Sequence, residues 1–112
     1  MRIAIPVEDG RLCMHFGHCR QFALIDVDPS ERRVTHARIV TPPPHAPGVL
    51  PEWLKGEGVD VAIAGGMGAR AQALFADAGI QVITGAPPEA PDALALAYAA
   101  GTLERGENVC DH

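Results

Sequence analysis

Val59-Asp60-Val61-Ala62-Ile63-Ala64-Gly65-Gly66-Met67-Gly68-Ala69-Arg70-Ala71 is the stretch on which the fold turns. Its first six residues are short, almost continuously apolar and rich in branched side chains, which is how a strand buried on both faces reads. Three glycines follow. Met67, Ala71, Leu74, Phe75 and Ala78 then recur on one helical face, and Gly79 stops that helix. Ile80-Gln81-Val82-Ile83 is a strand again. Two strands joined through a helix must run parallel, so this region predicts an α/β unit with a helix packed on a sheet.

Working outward towards the N-terminus, Ile3, Ile5 and Val7 alternate with Arg2, Ala4 and Pro6, a period-two signal for a first strand. Glu8-Asp9-Gly10 turns the chain, and residues 11–20 lack periodicity and read as an ordered loop. Gln21 to Asp28 is a second strand, apolar on both sides. Asp28-Pro29-Ser30-Glu31-Arg32 has turn chemistry, and residues 33–41 form a third strand, antiparallel to the second. Pro42-Pro43-Pro44-His45-Ala46-Pro47-Gly48 is a stiff loop, because proline offers no backbone donor and fixes an extended φ. Val49, Leu50, Trp53 and Leu54 recur at helical spacing. Towards the C-terminus, Pro88-Glu89-Ala90-Pro91 opens a third helix with Leu94, Ala97, Tyr98 and Gly101 inward, and 104–112 is a polar tail. The expectation is one domain over 1–112, in the order β-β-β-α-β-α-β-α, with a mixed five-stranded sheet flanked by helices.

Composition narrows the function. The chain has 112 residues, 47% hydrophobic and 21% charged, the balance of a globular domain rather than a disordered one. Nine Lys and Arg against fourteen Asp and Glu leave a formal charge of −5, the wrong sign for a protein living on phosphate contacts. Nucleic acid and anionic membrane are poor partners, and no apolar run approaches the roughly 20 residues that span a bilayer. The expected location is cytoplasmic. Three cysteines in such a compartment are not expected to build disulfides.

Three segments could carry chemistry. Cys13-Met14-His15-Phe16-Gly17-His18-Cys19 packs two imidazoles, two thiols and a thioether into seven residues, a set of borderline and soft metal ligands. Taken singly, each reads as a buried thiol or a solvated imidazole. The tail Asn108-Val109-Cys110-Asp111-His112 repeats the donor types on a terminus, where a disordered end is the ordinary reading. Gly65-Gly66-Met67-Gly68 with Arg70 could hold an anion at a helix start, or could merely permit a tight turn. No acid follows at the end of the next strand, so a dinucleotide is not the expected ligand. Serine occurs only at Ser30, in a turn, which excludes a serine hydrolase. Asp9, Asp26 and Asp60 near strand ends leave open a metal-dependent phosphoryl hydrolase, and a cofactor-free regulatory or interaction domain is the third reading.

Taken in order, several stretches are similar to the dinitrogenase iron–molybdenum cofactor biosynthesis family. They are Ile3-Ala4-Ile5-Pro6-Val7, His15-Phe16-Gly17-His18-Cys19 with Phe22, Gly48-Val49-Leu50-Pro51-Glu52-Trp53-Leu54, and residues 65–71 with Phe75, Gly79-Ile80 and Val82. Gly101-Thr102-Leu103 with Asn108, Cys110 and His112 closes the match. The resemblance implies a ribonuclease-H-like fold and a non-enzymatic module that carries an iron–sulfur or molybdenum-containing cluster between donor and acceptor proteins of cluster assembly. It places metal ligands at His15, His18, Cys19, His45, Cys110 and His112, and does not extend to Cys13. Gly65, Gly66, Met67, Gly68 and Arg70 would hold the cluster's negative charge. The Pro42-Pro43-Pro44 segment departs from the glycine- and histidine-rich loop of relatives. A pair of chains meeting at the exposed loops could share a cluster.

Overall fold

The computed structural model describes residues 1–14, 16, 19–44, 46, 48–103 and 106. Their elements are β1 (Arg2–Glu8), β2 (Arg11–Leu12), β3 (Gln21–Asp28), β4 (Arg33–Val40), α1 (Val49–Gly56), β5 (Val61–Ile63), α2 (Ala69–Asp77), β6 (Gln81–Ile83) and α3 (Pro91–Ala100). The sheet runs β4-β3-β1-β5-β6, with β2 paired to β1. It is mixed, as expected: β1, β5 and β6 are mutually parallel, while β3 is antiparallel to both β1 and β4.

The sheet has six strands where five were expected. The added strand comes from Asp9 and Gly10, both at positive φ (53° and 78°). That pairing makes a two-residue hairpin turn whose twist suits antiparallel strands. It folds Arg11 and Leu12 back so that Leu12 faces Val7 and Arg11 faces Glu8. Because β5 pairs only with Ile3 and Ala4 of β1, the end of β1 remains available to β2. Two residues are too few to show a period, so only the turn marks this strand.

Alternation splits the core into two layers. Ile3, Ile5, Val7, Ala23, Ile25, Val27, Val61 and Ile63 face α3, which contributes Leu94 and Ala95. Ala4, Phe22, Leu24, Ala62 and Ala64 face the other way, against Leu50 and Leu54 of α1 and Phe75 of α2. The central strands are thus apolar on both faces, and the helices cover both. Between β3 and β4 the Asp28 carboxylate accepts from the Ser30 and Glu31 backbone N–H groups at 2.9 and 3.2 Å, the turn chemistry expected there.

Strand direction decides what meets what. Since β4 is antiparallel to β3, and β3 to β1, strands β1, β4, β5 and β6 all end at one edge of the sheet, where β3 begins. Chain leaving Glu8, Val40, Ile63 and Ile83, and chain arriving at Gln21, therefore converge there.

Candidate functional site at the strand ends

Open α/β sheets bind ligands outside the carboxyl ends of their strands, where connections diverge and leave backbone groups and loop side chains accessible. At that edge the chain is tied together locally. The Cys13 N–H donates to the Pro6 carbonyl at 2.8 Å, and the Leu12 N–H to Glu89 at 2.9 Å. The Gly85 N–H donates to Gly65 at 2.9 Å, and the Gly106 N–H to Gly85 at 2.6 Å. Met14 lies over Gly65: a Cβ built there would sit 2.8 Å from its Sδ. Phe16 is 5% exposed, its ring 5.4 Å from both Phe22 and Phe75 in edge-on contacts. Phe16, which lies between His15 and His18 in sequence, is therefore anchored in the core.

His15, His18, His45, Cys110 and His112 lie outside the described residues. Of their described neighbours, Met14 lies on Gly65, Phe16 packs against Phe22 of β3, Cys19 precedes β3 by two residues, and Gly106 docks beside Gly85. Cys19 corrects the expectation that the cysteines stay unpaired, because it forms a disulfide with Cys13. The cause is non-local. The β1–β2 hairpin returns the chain to the end of β1, where β3 starts, leaving the two Cα atoms 6.1 Å apart, inside the span a disulfide bridges. A disulfide sulfur is not a thiolate, so Cys19 can act as a metal ligand only after reduction.

The glycine loop is less open than its sequence suggests. Gly65 and Gly66 are buried, and Met67, 1% exposed, belongs to the core layer facing α1 and α2. The Met67 carbonyl accepts from Gln72 Nε2 at 2.8 Å. Solvent reaches the loop from Gly68 onward, and Arg70 is exposed on the first turn of α2. Any anion held here meets Gly68 and Arg70 rather than the first two glycines.

The three aspartates do not form a metal centre. Asp26 accepts from Arg2 Nε at 2.7 Å, and Asp60 accepts the Arg2 backbone N–H at 2.9 Å, both at the start of β1. Asp9 follows the far end of that seven-residue strand, about 20 Å away at ~3.3 Å per residue. The Arg2 guanidinium, hydrogen-bonding and attracting it, holds the Asp26 carboxyl below its ordinary range, with partial burial opposing. That is an ion pair, and the hydrolase reading loses its constellation. Among the described residues no group of three His, Cys, Asp or Glu could hold a metal ion.

Two features escaped the sequence. Gly85 and Gly106 pack backbone to backbone, with Gly85 at φ 78° and the Gly106 carbonyl where its Cβ would stand. This docks Gly106 on the strand ends. Phe16 as an anchor was hidden among the more conspicuous donors around it. Neither has a local signal, since each depends on a contact distant in sequence.

A small two-faced α/β domain with its loops gathered at one strand edge is the class of protein these features define. Residues 1–101 match the family model described as dinitrogenase iron-molybdenum cofactor, and the chain belongs to that family. The crystal structure of PH0822 is 31% identical, with 96% of each chain covered and a TM-score of 0.86. The apo form of the orange protein from Desulfovibrio gigas superposes at 22% identity and TM-score 0.74, covering 96% of this chain and 93% of that one. A protein of Methanocaldococcus jannaschii gives 17% identity and TM-score 0.73 over 96% of both chains. The latter two share the fold. No curated protein matches the chain. No described helix is long and apolar enough to cross a membrane.

Proposed function

We propose that the protein is a non-enzymatic carrier that binds an iron–sulfur or molybdenum-containing cluster, or its precursor, at the strand-end edge and passes it to an acceptor protein. The supporting observation is the convergence at that edge of the segment around Phe16, the loop at 65–68 and the docked Gly106, joined to membership of a family named for the iron–molybdenum cofactor. His15, His18, Cys110 and His112 serve as ligands, with Cys19 joining them once reduced, and His45 completes the set from the proline-stiffened loop. The fold is of the ribonuclease-H-like kind without its chemistry, since function belongs to the site. A cytoplasmic setting supplies the reducing conditions Cys19 needs.

Ligands must be deprotonated, so cargo affinity falls as pH drops through the histidine range. A carrier must hold its cargo and also release it, which suits a few donors on loops rather than an enclosed cage. Purification without oxygen, followed by measurement of iron, molybdenum, copper, zinc and sulfide with the visible spectrum, tests the reading. Coloured protein with stoichiometric metal and sulfide is the expected result. Colourless protein that also resists reconstitution with iron and sulfide would overturn it. The double variant His15→Ala/Cys110→Ala should lose the cargo and keep the fold; undiminished retention would sink this ligand set.

A further inference from the structure

We propose that Cys13, Cys19 and Met14 form a soft-metal site, closed while the disulfide is intact and opened by thiol reduction, that takes one thiophilic monovalent cation. The site uses Cys13 and Met14, which the carrier reading does not, and shares Cys19 with it, so ion and cluster compete for that one sulfur while the ion needs no cluster to bind.

The two cysteine sulfurs are bonded to each other, so on reduction two thiols are left within reach of one ion, with backbone already fixed by the Cys13–Pro6 hydrogen bond and by the start of β3. Met14 adds a thioether. Its side chain lies on Gly65, where the lack of a Cβ leaves room for the sulfur, and it lines the same cavity as Cys13. That cavity, about 530 Å³, is also lined by Glu8, Asp9, Arg11, Leu12 and Pro88. Two carboxylates against one guanidinium favour a cation, and two thiolates add to that preference. Thiolate and thioether donors select soft ions such as Cu(I).

Opening proceeds by thiol–disulfide exchange. Cys19 is half-buried whereas Cys13 is 6% exposed, so an incoming thiolate attacks the Cys19 Sγ. A bond forms between the two sulfurs, the Cys13–Cys19 bond breaks, and Cys13 leaves as a thiolate. A second thiol attacks the sulfur of the first, releasing a small-molecule disulfide and the Cys19 thiolate. Two thiols are oxidised, the protein disulfide is reduced, and the two protons pass to Cys13 and Cys19. Cation binding then displaces those protons.

The test uses the full chain carrying Cys110→Ser, which leaves Cys13 and Cys19 as its only cysteines. The protein, oxidised or reduced with dithiothreitol and desalted without oxygen, competes with a chromophoric chelator for cuprous ion. Reduced protein should withdraw one ion per chain and oxidised protein none. Cys13→Ser should weaken uptake by more than about 100-fold, beyond the ~10–100-fold typical of losing a supporting group, and Met14→Leu by about tenfold. Iodoacetamide-treated reduced protein, checked for native circular dichroism, must also fail to bind; it covers the case in which Cys13→Ser does not fold. Equal uptake by the oxidised and reduced forms, or undiminished uptake after alkylation, would overturn the proposal. Because this measurement uses no cluster and no Cys110, its failure leaves the carrier reading intact, and loss of the carrier reading leaves this one.

Discussion

Arg2 and Asp26 hold the first strand to the third at the edge opposite the candidate site. The guanidinium donates to the carboxylate at 2.7 and 3.2 Å, and both side chains remain partly exposed. Exposure to solvent keeps the pair's contribution small, so Asp26→Asn should lower stability only slightly near neutrality. The sign with pH follows from the carboxyl being held below its ordinary value. Its contribution is fully present above the unfolded value, about 3.9, and is lost as pH falls through the lower native value. Urea unfolding of the two proteins should therefore differ at about pH 7 and converge near pH 2; a constant gap would assign the effect to packing instead. Gly85 is the more severe position. An alanine there combines strained positive φ with a collision against Gly106, and should cost about 1–3 kcal/mol with Gly106 displaced from the strand ends. Protease nicking after residue 101 should accelerate in Gly85→Ala, and an unchanged rate would show the Gly85–Gly106 contact to be dispensable.

At the scale of elements, what could be read depended on whether the signal was local. The bounds of β3 are those the sequence indicates, because an apolar run ends at an Asp-Pro turn whose Asp28 caps it. The parallel β5 and β6 with α2 between them were legible from apolar runs and the stop at Gly79. By contrast β2 has two residues and no period, and the Cys13–Cys19 pairing exists only because β2 and the start of β3 meet at the end of β1. The donor-rich segment was legible as chemistry, yet its anchoring was not. Phe16 joins Phe22 and Phe75, and Phe22 continues to Trp53 at 5.9 Å, so one aromatic row ties Phe16 to α1 and α2. Phe16→Ala should cost about 3–5 kcal/mol and Phe16→Leu far less. If the row positions His15 and His18, cargo retention at matched folded fraction should fall in the alanine variant and recover in the leucine one. Equal retention in both would confine Phe16 to stability.

For the whole molecule, stability and binding occupy different places. Both core layers are apolar side chains packed on the two faces of the sheet, while the gathered loops sit at its edge. Ligands bound there to the folded state alone add stability by mass action without any change in the core. At free cargo 100-fold above its dissociation constant that addition is about 2.7 kcal/mol. For a domain of about this size it corresponds to a rise in Tm of roughly 10 °C or more. Reconstitution of the reduced chain with iron and sulfide should therefore raise Tm by that order near pH 8. The rise should shrink towards pH 5.5 as the histidines take up protons and stop ligating. His15→Ala/Cys110→Ala should keep the cargo-free Tm and lose the increment at every pH. Should the double variant retain the increment, His15 and Cys110 are not ligands and other groups at the edge hold the cargo.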